Sequence, residues 1–239
     1  MDEAVRHFDD LAAQWRSNYD KPAFRDRLHL FVSELQRVTP QNGKVLDYGC
    51  GPGLIAMACA KSGYDVTAVD AAAKMVQVAE QERQRQLIVN ARVELIRPEI
   101  ASLKKEAFDA VVCSSVIEYV PNDDHFMGTL ASYLRPGGHL LISIPHATSL
   151  VGQVEDIATR LRLRSSASRS TADVSFAKRR YDHQCFARML VAHGLQPRRL
   201  IYYELPNLGR VGIQLSRLRC LGVMVLVIAE KVITEKVNA

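Results

Sequence analysis

Residues 45–53 read Val45-Leu46-Asp47-Tyr48-Gly49-Cys50-Gly51-Pro52-Gly53, and this stretch decides the fold. An apolar run leads into three glycines and a proline. Leu54 to Lys61 then continues as helix, and Gly63 stops it. Strand, tight turn and helix follow in that order. Glycine supplies the positive φ of a sharp turn and lets a backbone approach a ligand closely. Asp65-Val66-Thr67-Ala68-Val69-Asp70 is the next short buried strand. In a doubly wound sheet the Gly-rich turn lies at the carboxyl edge of the first strand, beside the switch point where ligands bind. Asp70 ends the second strand, where a carboxylate accepts both hydroxyls of a ribose.

Working outward, the alternation continues. The pattern predicts a helix over 71–86, strands over 93–96 and 108–113, and a helix over 123–133. A Pro136-Gly137-Gly138 turn and a strand over 139–144 follow. A helix over 183–193 and strands over 197–203 and 222–230 complete seven strands. The expected fold is α/β, a doubly wound, mostly parallel seven-stranded sheet covered on both faces, in a single domain over 1–239. Helical spacing of Val5, Phe8, Leu11, Ala12 and Trp15, and of Leu28, Phe31, Val32 and Leu35, predicts two helices before the sheet. Residues 1–40 are expected to form a lid. Residues 146–180 break the alternation with an amphipathic stretch and the run Arg164-Ser165-Ser166-Ala167-Ser168-Arg169-Ser170. They read as a helical and loop insertion on the substrate side.

Composition narrows the class. Of 239 residues, 48% are apolar and 24% charged, a globular balance. No apolar stretch approaches the ~18 residues of a membrane span. The start MDEAVRHFDD shows no hydrophobic leader, so a cytoplasmic location is expected. Five scattered cysteines form no CxxC pair and no metal-ligand spacing. Residues 1–150 carry 16 Lys+Arg against 19 Asp+Glu, and residues 151–239 carry 15 against 7, net charges of −3 and +8. The basic half points to an anionic substrate, a membrane surface or nucleic acid.

Asp47 separates two ligand classes. A carboxylate before the glycines repels a pyrophosphate and attracts a cation. Leu54 stands where a dinucleotide GxGxxG pattern wants glycine, which also counts against a nicotinamide dehydrogenase. The amino-acid part of S-adenosylmethionine, with its ammonium and sulfonium, suits Asp47.

With Asp47-Tyr48-Gly49-Cys50-Gly51-Pro52-Gly53, Asp70 and Leu134-Arg135-Pro136-Gly137-Gly138-His139-Leu140-Leu141-Ile142-Ser143, the chain resembles the class I S-adenosylmethionine-dependent methyltransferases and their Rossmann-like fold. His7-Phe8-Asp9-Asp10-Leu11-Ala12 and Val116-Ile117-Glu118-Tyr119-Val120 resemble the small-molecule branch that includes ubiquinone-biosynthesis O-methyltransferases. The resemblance is clear over 42–146 and holds in outline over 180–231. It implies that Asp47, Gly49, Cys50 and Gly51 line the methionine part of the cofactor. It further implies that Asp70 holds the ribose and that Ala71 and Met75 flank the adenine. Glu99 and Ile100 stand near the family's adenine contact, Ser114 at its methionine portion, and Tyr119 where many relatives carry His.

Methyl transfer is an in-line displacement, for which the enzyme orients the partners and excludes water. A hydroxyl acceptor gains from a general base; an amine needs only to be neutral. His146, after strand five, is the first expected base, and His183 the second. His125 reads as a surface residue. In the first helix and just after it, Trp15, Arg16 and Tyr19 are expected to supply a stacking face, a cation for the cofactor carboxylate and a hydroxyl. Seven Lys+Arg and one acidic residue between Ile157 and Tyr181 suggest an anionic or lipid-like acceptor, or peripheral docking on anionic lipid. The expected activity is methylation of a small molecule on a hydroxyl oxygen. N-methylation and a catalytically inactive S-adenosylmethionine-binding protein are the alternatives. Nucleic-acid methylation is disfavoured, because Ser114-Ser115-Val116-Ile117 is no base-methylation motif and no aromatic site for a flipped base is evident.

Overall fold

The structure is a computed structural model that describes residues 2–15, 21–95, 103–151, 153, 179–204, 214–215 and 217–233. Two helices, α1 (Asp2–Trp15) and α2 (Pro22–Val38), precede β1 (Lys44–Tyr48), α3 (Leu54–Lys61), β2 (Asp65–Asp70) and α4 (Ala73–Arg85). Then come β3 (Ala91–Leu95), β4 (Phe108–Cys113), a 3₁₀ turn (Ile117–Tyr119), α5 (Asp123–Tyr133) and β5 (Leu134–Pro145). The last elements are α6 (His183–Ala192), β6 (Leu195–Tyr203) and β7 (Met224–Lys231).

The strands form one sheet in the order β3-β2-β1-β4-β5-β7-β6. The first five are parallel, and β7 runs antiparallel to β5 and β6. Central strands are buried on both faces, so Val45-Leu46, Ala110 to Val112 and Leu140 to Ile142 read as continuous apolar runs rather than alternating ones. On one face α2 and α3 set Phe31, Leu35, Ile55 and Met57 against Val45, Val66 and Val112. On the other, α5 and α6 set Met127, Leu130, Phe186 and Leu190 against Leu46, Val111 and Leu140. The chain builds outward from β1 to β3, then crosses back to lay β4 on the other side of β1. The loops after β1 and β4 therefore diverge and leave a crevice at the carboxyl edge.

Two expectations change in detail. The strand expected from His139 begins at Leu134, because Leu134 pairs with Phe108 before a register shift that absorbs the Pro-Gly-Gly turn. The two N-terminal helices do not share one role. Leu30, Phe31 and Leu35 make α2 part of the core, while α1 lies on α4 through Ala12, Ala72 and Met75. Asp9 of α1 accepts the Lys74 backbone N–H at 2.8 Å. It thereby caps the start of α4, whose own N-cap, Ala72, has no side-chain acceptor. Finally, the chain leaves the sheet after Pro145 and returns at Tyr181, joined by Tyr181 N to Pro145 O at 2.9 Å and Ala147 N to Tyr181 O at 3.1 Å. Between them, the basic stretch 154–178 lies outside the described residues.

Candidate functional site

A cavity of about 550 Å³ opens at the crevice, over the turns after β1, β2 and β4 and beneath α1. The Gly-rich turn forms its floor. Gly49 N and Cys50 N both donate to Val69 O, at 2.8 and 3.0 Å, so the turn is stapled to the end of β2. Gly49 has φ +76°, and a Cβ there would collide with Val116 from the β4 loop. Gly51 has φ +53° and no atom within 4 Å of where its Cβ would lie, so its bare side is open.

Asp70 is oriented by the same turn. Its Oδ2 accepts Gly51 N and its Oδ1 accepts Ala72 N, both at 2.8 Å. Each carboxylate oxygen keeps a further lone pair for a ligand hydroxyl. Burial raises its pKa, and these backbone N–H groups pull it back down.

Asp47 is 2% exposed, and its Oδ2 has no hydrogen-bond partner. Burial, with Asp70 adding to it, pushes its pKa up to about 7. The Ser114 hydroxyl is also buried without a partner. Both residues line the cavity. A buried polar group left unsatisfied costs ~1–3 kcal/mol, so two of them at one cavity point to a ligand carrying donors.

A second charged group stands beside them. Arg27 reaches from α2 to line the cavity. Its Nη2 donates to Glu204 Oε2 at 2.6 Å and its Nη1 to Ser115 Oγ at 3.3 Å, while the guanidinium lies 4.8 Å over the Phe24 ring. Ser115 and Glu204 have φ of +55° and +63°, conformations that non-glycine residues rarely hold and that concentrate at functional sites. Glu118, on the 3₁₀ turn, is 4% exposed with Oε2 unpartnered. Burial pushes its pKa up to about 7, against the pull of its own backbone N–H and of Arg27. Because Asp47 and Glu118 both have raised pKa values in the fold, they favour folding most below about pH 4. That contribution is lost as pH rises through about 7.

The cavity brings together most residues expected from the sequence. Asp47, Gly49, Cys50 and Gly51 lie on its floor, Asp70, Ala71 and Met75 on the β2 side, and Ser114 and Tyr119 on the β4 side. Phe8 of α1 meets the Tyr119 ring edge-on at 5.0 Å and Trp15 at 5.5 Å, so α1 spans the opening. Arg16, Tyr19, Glu99 and Ile100 lie outside the described residues.

Two expected bases are not at the cavity. His146 is fully buried; its Nδ1 lies 3.0 Å from Gly222 O and its Nε2 2.9 Å from Thr148 Oγ1. Both ring nitrogens are thus engaged, and the His146 backbone bridges to Tyr181 beside the end of β5. His183 starts α6, with Nε2 3.0 Å from Arg219 Nη2 and Nδ1 3.8 Å from Asp182. His125, read as a surface residue, is exposed and also lines the cavity, one turn of α5 before Thr129. Arg27 was also missed. Its signal was present: it stands four residues before Phe31 and eight before Leu35, a charge on the apolar stripe of a helix.

The sheet order, the Gly-rich turn and the two carboxylates define a doubly wound α/β fold with a ligand-sized cavity at its switch point. A family model described as a methyltransferase domain matches residues 16–196, more than half of the chain, and the chain belongs to that family. It is 32% identical over 156 residues to the mitochondrial ubiquinone biosynthesis O-methyltransferase of Schizosaccharomyces pombe, covering 61% of this chain and 56% of that one. It is 36% identical over 113 residues to the ubiquinone biosynthesis O-methyltransferase of Xanthomonas axonopodis pv. citri, covering 47% of each. The chain thus spans about half the length of these curated relatives. The magnesium protoporphyrin IX methyltransferase of Synechocystis PCC 6803, solved with bound SAH, shares the fold at a TM-score of 0.67 and 18% identity, over 92% of this chain and 93% of that one. A SAM-dependent methyltransferase from Methanosarcina mazei does so at 0.66 and 17%, over 84% and 97%.

Proposed function

We propose that the chain transfers the methyl group of S-adenosylmethionine to a hydroxyl oxygen of a small-molecule acceptor. The observation that carries this reading is the buried, unpartnered Asp47 Oδ2 beside the Gly-rich turn. A pyrophosphate would be repelled there; an ammonium supplies the missing donor. The cavity volume falls within the ~300–1,000 Å³ of small-ligand pockets.

When bound, the cofactor supplies an electrophilic methyl group on a sulfonium centre. Asp70 accepts the two ribose hydroxyls, and Asp47 with Ser114 receives the ammonium. Arg27 serves the carboxylate, a role the sequence also offers to Arg16. Ala71 and Met75 give the adenine an apolar wall. Phe8 and Trp15 of α1 keep water from the reacting atoms.

The similarity to ubiquinone biosynthesis O-methyltransferases supports a hydroxyl acceptor. Among the described residues, His125 and Tyr119 are the cavity groups suited to take its proton. His125→Ala is expected to lower kcat by about 100-fold with little change in cofactor affinity, the usual scale for a positioned base. Tyr119→Phe separates a proton role from ring packing on Phe8. Turnover is tested by following S-adenosylhomocysteine release with a panel of catechols and phenols, including prenylated ones. Folded protein that binds cofactor but methylates none of these would instead support the inactive binding protein.

A lipid-like acceptor and peripheral contact with anionic lipid rest on the basic stretch 157–181. Wild type is expected to sediment with phosphatidylglycerol vesicles, and replacing Arg160, Arg162 and Arg164 by alanine to release it. Unchanged sedimentation of the variant removes this part. No helix among the described residues is long and apolar enough to cross a membrane. A cytoplasmic location remains part of the proposal.

A further inference from the structure

One guanidinium at the cavity acts on two carboxylates, Glu204 by an ion pair and Glu118 through its charge. Arg27 is salt-bridged to Glu204, while Glu118, almost fully buried, leaves Oε2 without a partner. On the reading above, a third carboxylate arrives with the cofactor. We propose that Glu118 is a positioning residue that sets how firmly Arg27 holds the cofactor's carboxylate, by carrying the proton that leaves Arg27 to Glu204 and the ligand. This rests on the S-adenosylmethionine reading and adds a regulation of that site.

The surroundings leave Glu118 little alternative. Arg27 comes from α2 and Glu204 from the end of β6; Cys113 of β4, Tyr181 before α6 and Tyr203 of β6 also face it. Burial keeps the Cys113 thiol and both phenols neutral, so among the described groups acting on Glu118 only Arg27 is cationic. An ionised carboxylate buried without full pairing costs several kcal/mol. Glu118 therefore holds its proton up to about neutrality. Across the cavity, Asp47 faces Asp70 of β2 and the thiols Cys50, Cys59 and Cys113, which are anionic or neutral.

The two acids then respond in opposite senses to a zwitterion. An ammonium favours ionised Asp47, so binding below about pH 7 releases a proton to solvent. A carboxylate on Arg27 favours protonated Glu118, so binding above about pH 7 takes one up. Affinity falls on both sides of neutrality, with Asp47 setting the acid limb and Glu118 the alkaline one. Both limbs follow from the linkage between proton and ligand binding.

S-adenosylhomocysteine, which has the same amino-acid end and no sulfonium, is titrated by calorimetry between pH 5.5 and 8.5. Two buffers of different ionisation enthalpy give the protons exchanged. Wild type is expected to take up more protons at pH 8 than Glu118→Gln, and Glu118→Gln to gain affinity on wild type by about tenfold at pH 8.5 relative to pH 7. The ligand's own amine contributes alike with both proteins and cancels in the comparison. Glu204→Gln frees Arg27 to stabilise ionised Glu118 and should move the alkaline limb to lower pH, which tests the idea if Glu118→Gln fails to fold. Methylthioadenosine, which lacks the amino-acid end, should bind wild type with no pH dependence from either acid. Equal proton uptake by wild type and Glu118→Gln, or an unmoved limb in Glu204→Gln, overturns the proposal. Folded wild type that binds neither ligand sinks the cofactor reading itself.

Discussion

Replacing Asp70 by alanine is expected to weaken S-adenosylmethionine binding by at least about 100-fold. The variant loses two hydrogen bonds from ribose hydroxyls to a charged acceptor, each worth ~1.5–3 kcal/mol. At ~1.4 kcal/mol per tenfold, that gives ~10²–10⁴ in the dissociation constant. The Gly51 and Ala72 N–H groups also lose their acceptor, so the Gly-rich turn loosens. Asp70→Asn keeps one acceptor oxygen and should fall between. Calorimetric titration of the three proteins, with circular dichroism to show that each is folded, checks the series. An Asp70→Ala affinity within threefold of wild type would mean that no ribose sits on this carboxylate.

The second large effect concerns stability. Arg27→Met keeps much of the aliphatic length and removes the charge, leaving Glu204 and Glu118 facing each other without a cation. Breaking a largely buried pair by deleting one member costs ~3–5 kcal/mol. For a chain of this size each kcal/mol moves Tm by about 2–4 °C, so a drop of about 10 °C is expected at pH 8. The drop should shrink at pH 5.5, where Glu118 is protonated and one of the two charges is gone. Thermal melts of wild type, Arg27→Met and Arg27→Lys at both pH values measure it. The same drop at both would show that Arg27 acts through packing alone.

What the sequence made legible follows from how local each signal is. The turn at Gly49 to Gly53 and the strand-end position of Asp70 are properties of short segments, so their neighbours in the chain are nearly their neighbours in space. The switch point followed from the βαβ order. The placement of the candidate histidines did not, because their positions depend on long-range register. His146 stands just past β5, where Gly222, 76 residues on, takes its Nδ1 and the Tyr202 ring lies 5.1 Å from it. His125 enters the cavity only because α5 starts at its edge. Arg27 and Glu204 are 177 residues apart and meet through the antiparallel β6 at the end of the sheet. No local pattern announces such a pair, although a charge on the buried stripe of α2 announces that some partner exists. The resemblance to small-molecule methyltransferases pointed to candidate cofactor residues around the β1, β2 and β4 edges and left the acceptor side undetermined, since its α1 and β5 motifs name no acceptor contact.

The central claim is that the Asp47, Asp70 and Gly-rich cavity binds S-adenosylmethionine and not a dinucleotide. Calorimetric titration of folded wild-type protein with S-adenosylmethionine, S-adenosylhomocysteine and NAD tests it most directly. Micromolar binding of both sulfur ligands and none of NAD is expected. Binding of NAD, or no binding of either sulfur ligand, would contradict it.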